Sequence, residues 1–117
     1  MGSGDRRRAA LGEFGEKLAA AHYRAQGYAV LQRNWRCRAG EIDLICARGT
    51  TLVICEVKAR TGSDHGHPLE VVTAPKQRRL RRLAALYLRQ QERRWADVRF
   101  DVVGVLDGTL EVVEGAF

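Results

Sequence analysis

The stretch Gly40-Glu41-Ile42-Asp43-Leu44-Ile45-Cys46-Ala47-Arg48-Gly49-Thr50-Thr51-Leu52-Val53-Ile54-Cys55-Glu56-Val57-Lys58 decides the fold. Two runs rich in Ile, Val and Leu, 41–47 and 51–58, flank Arg48-Gly49-Thr50, and the glycine marks a tight hairpin. Both runs are apolar on alternating and intervening positions. That predicts strands covered on both faces, as in a central sheet between helices. With Gly49-Thr50 as a two-residue loop, paired residues have numbers summing to 99. Asp43 then faces Glu56, Glu41 faces Lys58, and all four project from one face.

Directly opposed side chains have Cβ atoms ~4.5–5.5 Å apart, where like charges are destabilising. Burial raises that cost unless one carboxyl keeps its proton or a cation sits between them. Two hard oxygen ligands suit Mg²⁺ or Mn²⁺. Lys58 is then a fixed positive charge beside the metal rather than a ligand. Such a trio supports phosphodiester hydrolysis: the metal polarises a phosphoryl oxygen and acidifies a water, and the lysine orients that water or offsets charge in the transition state. Spacing alone leaves a plainer alternative open, in which these residues form salt bridges on a partly exposed hairpin.

Working toward the N-terminus, residues 1–8 read as a mobile basic arm, its Gly-Ser-Gly partly a cloning remnant. Leu11, Phe14, Leu18, Ala21, His22 and Ala25 recur at helical spacing and predict a helix from Ala9 to Gln26 with this stripe inward, stopped by Gly27. Tyr28–Gln32 reads as a strand, and Arg33–Ala39 as an irregular segment anchored by Trp35. Toward the C-terminus, Thr61–Leu69 is a loop in which His65 and His67 read first as ordinary loop residues, with a substrate-contacting flap as the alternative ahead of metal ligands. Thr73 is placed to cap a second helix running to Arg93, with Pro75 in its first turn and Leu80, Leu83, Ala84 and Tyr87 inward. Phe100–Leu106 is a fourth strand, and Asp107-Gly108 turns it into a fifth at Leu110–Val113. The order is α-β-β-β-α-β-β. The helix between strands three and four implies a right-handed crossover that makes them parallel. The fold class is therefore α/β: a mixed central sheet between helices, in one domain over 9–117.

At 117 residues the chain holds one core, and 45% hydrophobic with 29% charged residues excludes wholesale disorder. No apolar run approaches the ~20 residues of a membrane span, and no membrane association is expected. Three cysteines, odd in number and without CxxC spacing, read as reduced thiols of a cytosolic protein, packed as small core hydrophobes. The formal charge is +6, with 17 Arg and 3 Lys against 14 acids. The window 76–94 holds eight basic residues and one acid, net +7, so the remainder is nearly neutral. A basic face on a near-neutral body favours a polyanion, nucleic acid before acidic protein. Lys76, Arg78, Arg79, Arg81 and Arg82 on the second helix, with Arg60 beyond Lys58, are the expected phosphate contacts. A merely solvated arginine-rich helix remains open on charge alone.

The residues also carry a resemblance. Asp43 followed by Glu56-Val57-Lys58 resembles the PD-(D/E)xK motif of restriction-endonuclease-like nucleases. The ordered set Gly15-Glu16, Gly27-Tyr28, Arg33-Asn34, Gly40-Glu41-Ile42-Asp43-Leu44-Ile45, Glu56-Val57-Lys58-Ala59-Arg60 and Arg99-Phe100-Asp101-Val102-Val103 resembles the YraN-like family of small bacterial proteins, itself similar to archaeal Holliday-junction resolvases. It spans Ala9 to Leu106. The resemblance implies a three-layer α/β/α core and a Mg²⁺-dependent endonuclease role in DNA repair or recombination, on branched or otherwise structured DNA. Asp43 and Glu56 would be metal ligands and Lys58 the catalytic lysine. Glu16 matches the helix-one glutamate that completes the resolvase site, although on a helical wheel it lies opposite the Leu11/Phe14/Leu18 stripe, beside Ala19 and Tyr23. Ile42 stands where the motif usually has Pro. The resolvase analogy also implies a homodimer. The rival expectations are a non-catalytic nucleic-acid-binding module of the same fold and an adaptor whose arginine helix docks an acidic protein. Asp101 is expected to be structural.

Overall fold

The computed structural model describes residues 3–60 and 72–117. Its elements are α1 (Ser3–Ala25), β1 (Ala29–Cys37), β2 (Gly40–Arg48), β3 (Thr51–Arg60), α2 (Ala74–Arg89), β4 (Asp97–Leu106) and β5 (Thr109–Val113), the predicted order. The five strands form one sheet in the order β1-β2-β3-β4-β5. β3 pairs antiparallel with β2 and parallel with β4, as the α2 crossover requires. The fold is three-layer α/β/α.

The two faces of the sheet bury different cores. On the α2 side, Ile45, Ala47, Leu52, Ile54, Phe100 and Val102 pack with Trp35, Leu80, Leu83 and Tyr87. On the α1 side, Leu44, Cys46, Val53, Cys55, Val103 and Val105 pack with Ala19, Ala20, Tyr23 and Tyr28. Strands β2, β3 and β4 are covered on both faces, which is why their sequences read as nearly continuous apolar runs. The cysteines are free thiols, and Cys46 and Cys55 are buried as small hydrophobes.

Helix α1 departs from the sequence reading in extent and in orientation. Its backbone is helical from Ser3, well ahead of the predicted Ala9. Its buried face is Gly15, Ala19, Ala20 and Tyr23, whereas Phe14 is 48% exposed and Ala21 and Ala25 face solvent. Of the predicted stripe, Leu18 packs against the α1-side core, while Phe14, Ala21 and Ala25 do not face inward. Small residues win that place because they let the helix lie directly on the sheet. A Cβ at Gly15 would sit 2.9 Å from the Cβ of Ala59. Tyr23 reaches through the same face to donate a 2.6 Å hydrogen bond to Asp101.

Two local expectations also change. Arg33–Cys37, read as irregular, continues β1 along the edge of the sheet. Thr73 does stand at the N-cap of α2, but its side chain makes no capping bond; its carbonyl accepts the first helical bond from the Gln77 N–H at 2.9 Å. The loop carrying His65 and His67 lies outside the described residues. Among the described residues no helix is long and apolar enough to cross a membrane.

Candidate metal centre and basic helix

The β2–β3 hairpin has the predicted register, from Arg48↔Thr51 to Leu44↔Cys55. There the ladder ends, one pair short of Asp43 and Glu56. Beyond it β3 stays zipped to β4, with Glu56 beside Val102 and Lys58 beside Gly104, while β2 stays zipped to β1. Asp43 fills the fork between the strands. Its Oδ2 accepts a 2.8 Å hydrogen bond from the Val57 N–H, and its carboxyl hydrogen-bonds that of Glu56. The predicted Glu41–Lys58 pairing does not form. Glu41 lies opposite Arg36 and forms a 2.9 Å ion pair with it, because β2 has already left β3.

Facing of side chains through this fork is not simple alternation. Trp35 and Ile42 are partners and both belong to the α2-side core, yet Leu44, two residues on, belongs to the α1-side core. In a regular strand residues i and i+2 share a face. The β1–β2 ribbon thus turns over between the pairs Trp35↔Ile42 and Arg33↔Leu44, with Asn34 and Asp43 in the unpaired middle. Asn34 takes up the turn in a left-handed conformation, φ 53°, which asparagine tolerates better than most residues.

The electrostatics mark the same spot. Burial, the hydrogen bond to Glu56 and the Glu56 charge push the Asp43 carboxyl up to about 8. Asp43 is therefore hard to ionise beside Glu56. Glu16, presented by the inward-turned face of α1, is raised too, first by burial and then by the charges of Asp43 and Glu41. Its hydrogen bond to the Asn34 side chain and the nearby Arg33 guanidinium act in the opposite sense. The structure thus brings Glu16 within reach of the Asp43 and Glu41 charges. Lys58, on β3 two residues past Glu56, is exposed, and Arg60 ends the strand.

The basic helix begins close by. A Cβ at Gly40, the first residue of β2, would meet Leu83 at 3.5 Å and the Arg79 side chain at 3.9 Å, so α2 is seated against the strand that carries Asp43. Pro75, Arg78, Arg79 and Arg82 line a cleft of about 380 Å³. Lys76 is exposed in the first turn of the helix. Arg81 separates from this group: its guanidinium lies over Phe100 at 4.9 Å and Phe117 at 5.6 Å. The sequence reading gave Asn34 no role, although a single asparagine in a strand-like run is a signal for a left-handed residue. Asp101 has the expected structural place, 1% exposed and fully bonded.

Can this centre hold a divalent ion? Two hard carboxyl donors in contact, the Asp43 proton displaceable by a cation, form a fitting donor set. Among the described residues no group of three or more His, Cys, Asp or Glu side chains is arranged to hold a metal. An ion here would complete its shell with water and substrate oxygens, as Mg²⁺ does.

The comparisons with known proteins agree with the motif string. The model of the uncharacterised protein family UPF0102 matches residues 15–105. A UPF0102 protein of Acidothermus cellulolyticus is 49% identical over 125 residues, covering 94% of this chain and 95% of its own length. UPF0102 proteins of Mycobacterium ulcerans and Rhodococcus opacus are 54% and 52% identical over 84% and 85% of this chain, and over 82% and 84% of their own. The chain belongs to the UPF0102 family, the YraN-like group whose ordered motifs it carries.

Proposed function

We propose that the protein is a metal-dependent endonuclease that hydrolyses DNA phosphodiesters, with branched or otherwise structured DNA as substrate in repair or recombination. The observation that carries this reading is the Asp43–Glu56 pair, two carboxyls in contact at the fork of β2 and β3. Asp43 and Glu56 would hold Mg²⁺ or Mn²⁺, which when bound polarises the scissile phosphate and acidifies a water. The Val57 N–H fixes one oxygen of Asp43 and so orients the other. Lys58 offsets charge on the phosphorane-like transition state. Glu16 supplies a third carboxylate at the rim, able to take the proton of the attacking water. Arg78, Arg79 and Arg82, with Lys76 and Arg60, neutralise the DNA backbone and set its register on the protein. Paired cuts across a junction would need two copies of the chain.

Cleavage of labelled junction, flap and duplex DNA in Mg²⁺ or Mn²⁺ tests this. Activity should fall at least ~100-fold in Asp43→Ala, the scale expected when a group stabilising transition-state charge is lost. Metal-dependent cutting that survives the substitution would sink the assignment. The rival reading, a non-catalytic DNA-binding module, is favoured by the lack, among the described residues, of a third ligand already in place. It predicts salt-sensitive binding without turnover.

Binding itself yields a second prediction. On duplex DNA log K falls with log salt by about 0.9 per phosphate neutralised. Replacing Arg78, Arg79 and Arg82 together with Ala should flatten the slope by about 2 to 3. Arg81→Ala should leave the slope nearly unchanged, because that guanidinium is spent on the Phe100 and Phe117 rings. Equal effects from all four positions would remove the distinction.

A further inference from the structure

The arginines of α2 do not end at the cleft beside Pro75. The Arg79 side chain that lines it comes within 3.9 Å of a Cβ built at Gly40, and Gly40 lines a second cleft of about 410 Å³ with Arg36, Cys37 and Glu41. Cys37 in turn lines a third, of about 420 Å³, between Arg38 and Ala39 of the β1–β2 turn and Leu86, Arg89 and Gln90 of α2. The three join into one trough between the helix and the turn. Arg78 and Arg89 lie eleven residues apart, so the trough runs about 16 Å along the helix axis.

Its rim carries one sign of charge. Glu41 is held by Arg36 at 2.9 Å. Among the described residues no acid pairs with Arg38, Arg78, Arg79, Arg82 or Arg89. Its floor is apolar: Cys37, Ala39 and Leu86 are half-buried and pack on the α2-side core. An anionic chain with apolar faces between its charges matches both. A duplex keeps its bases stacked inside and offers phosphates and groove edges. A single strand can lay the π-face of each base on a surface while its phosphates stay available to arginine. The trough also lies on the same side of the sheet as the candidate catalytic lysine. Cys55, Val57 and Ala59 belong to the α1-side core, so Glu56 and Lys58 alternate to the α2 side.

We infer that the trough between α2 and the β1–β2 turn holds a single DNA strand, with Arg38 and Arg89 on its phosphates and Leu86, Ala39 and Cys37 under its bases. The preferred substrate then carries an unpaired arm. The inference rests on the DNA-binding half of the proposed function and not on the metal.

The test is binding by the full chain, in EDTA, to labelled oligo(dT) and to a blunt duplex. Arg38 and Arg89 are exposed, so replacing both with Ala leaves the core intact. For oligo(dT) the double variant should flatten the slope of log K against log salt by about 1.4, or about 0.7 for each phosphate contact on a single strand. The duplex slope should stay as in the wild type. Cys37 supplies a second readout. It is half-exposed whereas Cys46 and Cys55 are buried, so N-ethylmaleimide reports on the trough. Saturating oligo(dT) should shield Cys37 from the reagent, and the duplex should not. Equal slope changes on the two DNAs, or Cys37 labelled at its free rate under oligo(dT), would overturn the inference. So would equal shielding by poly-glutamate, which carries the charge without the bases and stands for an acidic protein. If oligo(dT) shields Cys37 and no DNA is cut in Mg²⁺ or Mn²⁺, the trough stands and the nuclease reading falls.

Discussion

Asp101→Ala is expected to lower the unfolding free energy by about 3–5 kcal/mol, the cost of breaking a buried charge pair by removing one partner. For a chain of this size that corresponds to a fall in Tm on the order of 10–20 °C. Asp101 is 1% exposed and ties three elements together. Arg99 on the same strand grips it through Nε and Nη2 at 2.8 and 2.9 Å. The Gly115 N–H after β5 donates at 3.0 Å, and the Tyr23 hydroxyl of α1 donates at 2.6 Å. Alanine would leave the buried Tyr23 hydroxyl and the half-buried guanidinium without their acceptor at once. Tyr23→Phe removes one donor and leaves the other three, so about 1.5–3 kcal/mol is expected. The effect should reach the candidate site as well. Tyr23 lies two helical turns from Glu16 on the inward face of α1, so releasing the tyrosine loosens the helix that presents the glutamate. Denaturant unfolding of the two variants checks the ranking. Asp101→Ala within 1 kcal/mol of wild type would mean the network contributes little, its desolvation cost cancelling its bonds.

What could be read from the sequence, and what could not, follows from how each element buries its residues. The β2–β3 register was legible because a two-residue glycine turn leaves one pairing that keeps Leu44, Cys46, Val53 and Cys55 on one face. The parallel β3–β4 pair followed from the crossover alone. The orientation of α1 was not legible. Hydrophobic periodicity points to the largest apolar residues, and here close approach to the sheet selects Gly15, Ala19 and Ala20 and leaves Phe14 outside. The second half of β1 escaped because Arg33, Asn34 and Arg36 on an edge strand, with one left-handed residue among them, break the period-two pattern. At the site, the contact of Asp43 with Glu56 was written in the register. The parting of β2 from β3 after Leu44 was not, since no turn residue or bulge signal marks it, and with it went the Glu41–Lys58 pairing. Glu16 as a site residue came from the family resemblance alone, and the inward turn of α1 explains only why it lies within reach of the Asp43 charge.

Asp43→Asn is expected to stabilise the protein at high pH while sharply weakening its affinity for Mn²⁺. In the folded protein the Asp43 carboxyl is pushed up to about 8 by burial and by Glu56, against about 3.9 for a free aspartate. Between those values the folded protein binds more protons than the unfolded chain. The stability linked to this group is complete below about pH 4 and drains away as pH rises through 8. Each unit of pKa difference is worth about 1.4 kcal/mol. With relaxation around the ionised pair, a wild-type loss on the order of 3 kcal/mol between pH 5 and pH 9 is expected. Asparagine cannot ionise. Its Oδ1 can still accept the Val57 N–H, and its amide can donate to Glu56 as the protonated Asp43 does. The variant should therefore match wild type near pH 4 and exceed it at pH 9, with a nearly flat profile between. Its Mn²⁺ affinity should drop about 100-fold or more, beyond the cost of losing an outer partner, because a ligand charge is gone. Wild-type affinity should itself rise toward pH 8, since the incoming cation must displace the Asp43 proton. Denaturant unfolding and calorimetry at pH 5, 7 and 9 on both proteins measure all three quantities. An Asp43→Asn protein less stable than wild type at pH 9 would mean that the two carboxylates are not in conflict, and the physical argument for a cation between them would go with it.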